Sequence, residues 1–180
     1  MLDNRTQVVF DVETLATSTD ACIVSIGAVK FSLSNGISEE FVINVDANDC
    51  KRHGLVIDPK TVAWWMEQPA ETRRTWMRNP VSLADALAAF NDWYGVKSLP
   101  TWAKGGKRFD FPIMENAYDK TGIKAPWHYR DCLDYRTIIT ALGIDDLKLK
   151  TVGSTYHSAL DDSKEQCKVL LPILQALHQD

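Results

Sequence analysis

The sequence predicts an α/β domain in which helices flank a mixed β-sheet. Three observations predict it. Apolar and β-branched residues dominate three runs near the N-terminus, at 6–12, 22–31 and 41–45. From Pro59 onward, apolar residues recur at helical spacing. A short strand-like run at 100–103 lies between two helical stretches. Strands first, then helices alternating with short strands, is the order of an α/β fold.

The elements follow in order. The run 6–12 reads as a short buried strand, and 22–31 as a second one. The turn signal Ser34-Asn35-Gly36 precedes the third, and such short connections predict an antiparallel start. Pro59 suits the first position of a helix, with Asp58 as its N-cap. Val62, Trp65 and Met66 share one face of that helix. A short helix follows at 71–78, and a clearer one at 82–94 with Leu83, Leu87 and Phe90 on one side. A helix over 110–120 turns Ile113, Met114 and Ala117 inward. Asp134 caps a helix that Gly143 stops. The last helix spans 158–178, with a kink expected at Pro172.

At 180 residues the chain is expected to form one domain, 1–180. Hydrophobic residues make up 45 % and charged residues 24 %, which excludes a disordered chain. No window approaches the roughly 18 consecutive apolar residues of a membrane-spanning helix. The first residues lack the pattern of a secretory signal, so a cytoplasmic location is expected. Cys22, Cys50, Cys132 and Cys167 form no CxxC pair, which argues for reduced thiols over a zinc site or disulfide framework. The net charge of −4 excludes a protein that grips nucleic acid by simple charge neutralisation. A polyanionic substrate would need local basic residues or bound cations, and the 24 acidic residues are a supply of oxygen ligands for hard cations.

Asp11 and Glu13 close the first strand, and residues at i and i+2 point to the same face of a sheet. Two carboxylates held together repel unless a cation sits between them. The plain alternative is that Asp11 caps a turn and Glu13 is solvated. Asp110 follows the Gly-rich, basic stretch Lys104-Gly105-Gly106-Lys107-Arg108 and falls at a helix start, where it could be a simple N-cap. His157 and Asp162 straddle the start of the final helix, placed to look at one site from loop and helix. His53 and Asp58 have the same spacing, but Asp58 is better used as a cap.

Taken in order, these signals form a set. Asp11-Val12-Glu13-Thr14, Phe109-Asp110 and His157-x-Ala159-x-x-Asp162 resemble the three motifs of the DEDDh, DnaQ-like family of 3′–5′ exonucleases. Within it, Thr61-Val62-Ala63-Trp64-Trp65, Phe109-Asp110-Phe111-Pro112-Ile113 and Tyr135-Arg136-Thr137 are similar to the phage DexA-type and Rv2179c-like exonucleases. One position departs: many members carry Asn where this chain has Gly106.

The resemblance implies a ribonuclease H-like sheet and a metal-dependent exonuclease. It would act on single-stranded 3′ ends, DNA favoured over RNA, and release nucleoside monophosphates. It implies two Mg²⁺ or Mn²⁺ ions, with Asp11 bridging, Glu13 and Asp162 completing one site and Asp110 holding the second ion. It makes His157 the general base, a role that suits an imidazole near neutral pH. Thr14, Leu15 and Phe109 would contact the terminal nucleotide, with Leu15 as a wedge. Lys104, Lys107 and Arg108 add positive potential or form a plain exposed loop. Of Trp64 and Trp65, one belongs to the core; the other is left to stack on a base or to enter a homodimer interface. A non-catalytic binding or scaffold module of the same fold and a non-nuclease metal hydrolase are the rival readings. The segment 143–156 is expected to close over the site through Lys148 and Lys150, unless Leu147 and Leu149 anchor it. Without substrate, His157 is expected to turn away from the carboxylates.

Overall fold

The first strand divides the interior in two. In β1 (Gln7–Thr14), Val8, Phe10 and Val12 enter one hydrophobic cluster and Val9 enters another. Successive side chains of a strand alternate between faces, so a strand buried on both reads as continuously apolar. Full burial of Phe10 alone contributes about 1.5–3 kcal/mol.

The computed structural model describes residues 5–145 and 157–178. β2 (Ile23–Ser32) and β3 (Gly36–Asn44) follow β1, then α1 (Ala47–Arg52), α2 (Pro59–Glu67), α3 (Ala70–Met77) and α4 (Leu83–Tyr94). β4 (Thr101–Ala103), α5 (Asp110–Thr121), β5 (Cys132–Asp134), α6 (Tyr135–Ala141) and α7 (Ala159–Ala176) complete the order. The five strands lie in the order β3-β2-β1-β4-β5. β1 pairs antiparallel with β2, and β2 with β3, while β4 is parallel to both β1 and β5. The sheet is therefore mixed and carries helices on both faces. Phe10 and Val12 pack with residues of α2, α4 and α5. Val9 and Val29 pack with Tyr135 and Ile139 of α6 and with Cys167, Leu170 and Leu174 of α7.

Most elements stand where local chemistry puts them. Asp58 caps α2 by accepting from the Lys60 amide, and Asp134 caps α6 by accepting from that of Thr137. Gly143 ends α6 with a φ of +67°. The structure corrects several expectations. β3 begins at Gly36, directly at the turn. α1 and β5 are additional elements, six and three residues long, too short to show a period. α2 buries Trp65 but leaves Met66 60 % exposed. α7 continues through Pro172 to Ala176. The expected closure of 143–156 falls largely on residues 146–156, which lie outside the described residues, as do Leu147, Lys148, Leu149 and Lys150. Among the described residues, no helix is long and apolar enough to cross a membrane.

One contact sets the position of α7. A Cβ on Gly27 of β2 would lie 2.1 Å from backbone atoms of Ala159 and Leu160. The helix backbone thus rests on the strand where a side chain would stand. Ser163 secures it by donating to the Gly27 carbonyl at 3.0 Å. Gly27 is also the cross-strand partner of Asp11. Gly27→Ala should push α7 off the sheet and lower the melting temperature by about 3–10 °C. Scanning calorimetry checks this; an unchanged value would mean that the helix accommodates a methyl group freely.

Candidate active site

Beyond Val9, the α7-facing side of β1 presents Asp11 and then Glu13. They open into a cavity of about 770 Å³ that Asp110, His157 and Asp162 also line. The three separated sequence signals therefore converge on one place. Asp110 arrives from the start of α5, Asp162 from the first turn of α7, and His157 from the residues just before that helix.

Each side chain has a local reason for its position. Asp110 does not cap its own helix; its Oδ2 accepts from the Gly105 amide at 2.7 Å. A Cβ on Gly105 would come 2.6 Å from Phe109 Cβ and 2.8 Å from that carboxylate. Gly106 has a φ of +41°, and a Cβ there would lie 1.7 Å from Asp134 Oδ2. The Asp134 carboxylate fills the space that an Asn at this position would need, which is the steric meaning of the departure at Gly106.

His157 has a φ of +63°, a conformation that costs a non-glycine residue about 1–3 kcal/mol. Its ring stands edge-on to Trp64 at 4.7 Å and to Trp65 at 6.0 Å. One ring nitrogen and carboxylate oxygens of Glu13 and Asp162 all lie within 4.8 Å of one another. The expectation that His157 turns away is thus corrected. Two tryptophan rings hold the imidazole against the carboxylates. Trp65 is buried and donates through Nε1 to the Thr14 carbonyl at 2.9 Å. Trp64 is 39 % exposed and lines the cavity.

The electrostatics are those of crowded, poorly hydrated anions. Burial, and then the charges of Asp110, Glu13 and Asp162, hold the Asp11 carboxyl well above the usual carboxylate range. Burial, with Asp162 and Asp110 adding to it, pushes Glu13 up to about 8. Burial also raises Asp110 to about 6, against the lowering effect of the Gly105 amide. Glu13 Oε1 is buried without a hydrogen-bond partner among the described residues. Hard oxygen ligands, a nearby imidazole and an orphaned carboxylate oxygen fit a divalent cation.

The remaining predicted positions divide. Thr14, Phe109 and Lys104 line the cavity. The Thr14 hydroxyl donates to the Ala16 carbonyl, and its own carbonyl is engaged by Trp65. Leu15 is buried in the core cluster, and neither Leu15, Asp161 nor Arg108 is part of the cavity wall. The structure adds Tyr135, Arg136, Glu165 and Gln166 to that wall. Arg136 lowers the Asp110 pKa through its charge, and Lys104 Nζ lies 5.9 Å above the Tyr135 ring. Helical spacing from Asp162 points to Gln166, four residues on.

The raised carboxyls predict a pH dependence of stability. Between about pH 5 and 8 the folded state retains protons that the unfolded chain has released, so stability falls as pH rises. Melting in EDTA should occur at a lower temperature at pH 8 than at pH 5.5, and saturating Mn²⁺ should abolish the difference. A melting temperature in EDTA that climbs across this window would overturn the reading.

Comparison with known proteins gives the family and the fold. Over 120 residues, 59 % of this chain and 52 % of the relative, the sequence is 27 % identical to an exodeoxyribonuclease of Enterobacteria phage T4. The zinc-bound form of the E. coli exonuclease I–single-stranded DNA complex superimposes with a TM-score of 0.70 at 16 % identity, over 98 % of this chain and 42 % of that one. Exonuclease I with a dT13 oligonucleotide gives 0.63 at 15 % identity, over 93 % and 40 %. The fold is accordingly that of the ribonuclease H-like, DnaQ-type exonucleases. The chain spans about half the length of the curated relative and about two-fifths of these structures. Residues 6–174 match the model of the 3′–5′ exoribonuclease Rv2179c-like domain, and the chain belongs to that family.

Proposed function

We propose that this chain is a divalent-cation-dependent 3′–5′ exonuclease that releases nucleoside monophosphates from single-stranded nucleic acid, with DNA as the favoured substrate. The observation that carries the reading is the convergence of Asp11, Glu13, Asp110, Asp162 and His157 on one cavity. The T4 relative is an exodeoxyribonuclease and the E. coli structures hold single-stranded DNA, while the family model is named for exoribonucleases. The first two favour DNA.

Asp11, Glu13 and Asp162 would hold one Mg²⁺ or Mn²⁺, and Asp11 with Asp110 a second. Such ions supply charge stabilisation for an in-line displacement at phosphorus. His157 takes a proton from the attacking water at a ring nitrogen, while Glu13 and Asp162 beside it stabilise the imidazolium. As the new P–O bond forms, the bond to the 3′ oxygen of the penultimate nucleotide breaks. Lys60, Lys104 and Arg136 bring positive charge to the wall that holds these carboxylates, where a phosphodiester must enter. The exposed ring of Trp64 offers a stacking surface that accepts any base. The family's wedge position, Leu15, faces the core here, so that role is not assigned to it.

The deciding experiment is digestion of matched 5′-labelled DNA and RNA strands with Mg²⁺ or Mn²⁺. Shortening from the 3′ end, slowed by a 3′-phosphate, is expected. Cutting of a closed circular strand would refute exonuclease action, and binding without cleavage would make the chain a binding module.

Asp11→Asn should reduce turnover to below about 1 % of the parent while leaving the melting temperature in EDTA unchanged or raised, because it removes a repelled charge. His157→Ala should lower kcat by about 10²–10⁴ with little change in Mn²⁺ affinity. A large loss of Mn²⁺ binding by calorimetry would reassign His157 as a ligand.

A further inference from the structure

Gln166 lies one helical turn after Asp162 on α7, so both side chains leave the same helix face. It is 3 % exposed and forms part of the cavity wall. Its Nε2 donates to Asp11 Oδ1 at 3.0 Å. Its Oε1 is buried and has no hydrogen-bond partner among the described residues. With Asp11 ionised, as a cation ligand is, the amide keeps this orientation, because Oε1 against a carboxylate oxygen would set two acceptors face to face. An orphaned buried acceptor costs about 1–3 kcal/mol, so it marks a place where a donor belongs.

Two consequences follow from that geometry. The bond to Oδ1 fixes the Asp11 carboxylate, which repulsion from Glu13, Asp110 and Asp162 would otherwise displace. A carboxylic side chain in place of Gln166 would add another anion beside Asp11, and an apolar one would leave Asp11 without this donor. The free Oε1 needs a donor small enough to enter a cavity wall. A cation that keeps part of its hydration shell offers one, since each bound water carries two hydrogens that need acceptors.

We propose that Gln166 is a positioning residue that orients Asp11 through Nε2 and accepts, through Oε1, a hydrogen from a water on the bound divalent cation. The proposal rests on the reading of the acidic cavity as a cation site, and not on the nuclease reaction. Residues that orient metal ligands typically contribute a factor of about 10–100 to metal affinity.

The test is calorimetric titration of Mn²⁺ alone into the parent protein, Gln166→Met and Gln166→Asn. The first variant removes both hydrogen-bonding groups at similar length. The second keeps the amide but shortens its reach by one methylene. Both should bind Mn²⁺ about 10–100-fold more weakly while melting in EDTA close to the parent. In strand digestion, the Mn²⁺ concentration for half-maximal rate should rise in parallel. At saturating Mn²⁺, kcat should return to within about threefold of the parent with KM for the strand unchanged. If the Met variant fails to fold, the Asn variant decides. Mn²⁺ affinity within about twofold of the parent in the folded variants would overturn the proposal, as would a kcat that stays low at saturating Mn²⁺. A parent without nuclease activity whose Mn²⁺ affinity depends on Gln166 would discard the proposed function and keep this inference. Nuclease activity with Mn²⁺ affinity independent of Gln166 would do the reverse.

Discussion

The contact between the backbone of α7 and Gly27 is the constraint on which the site depends. It removes one side chain from the middle of β2 and lets the first turn of α7 lie directly on the sheet. Because Gly27 is the cross-strand partner of Asp11, the helix that rests on it delivers Asp162 beside the β1 carboxylates. Gln166, one turn further, reaches Asp11 itself. Ala159, whose backbone meets Gly27 there, is itself buried.

What that packing brings together is unfavourable by itself. Asp11, Glu13, Asp110 and Asp162 crowd one cavity; burial raises the pKa values of the first three, and mutual charge adds to the shift at Asp11 and Glu13. The fold offsets part of this with neutral donors, the Gly105 amide on Asp110 and the Gln166 amide on Asp11. It does not supply a cation against Glu13, whose buried Oε1 is left without a partner among the described residues. A site of this kind trades stability of the metal-free protein for affinity toward a divalent ion. The tryptophan pair serves the histidine, with Trp65 tied to the Thr14 carbonyl and both rings packed against His157.

Much of this architecture was legible in the residues. Asp11 and Glu13 share a face because strand periodicity is two, and Asp58 and Asp134 cap helices because their side chains reach amides two or three residues on. Those effects are local, and local chemistry writes itself into the sequence. β5 and α1 left no such trace, being too short to complete a pattern. Leu15 shows the opposite limit: it follows the first motif, yet its side chain turns into the core.

The sequence by itself determined the two-sided core, most helix boundaries and the order in which Asp11, Glu13, Asp110, His157 and Asp162 occur. Only the tertiary structure decided that His157 faces the carboxylates, that Trp65 is the buried member of its pair and that Gln166 bonds to Asp11. It also showed why Gly106 has no side chain, since Asp134 occupies that space. The physical reason is sequence separation. A hydrogen bond between residues 11 and 166, or a backbone contact between 27 and 159, obeys no periodicity; it exists only once sheet and helix have packed.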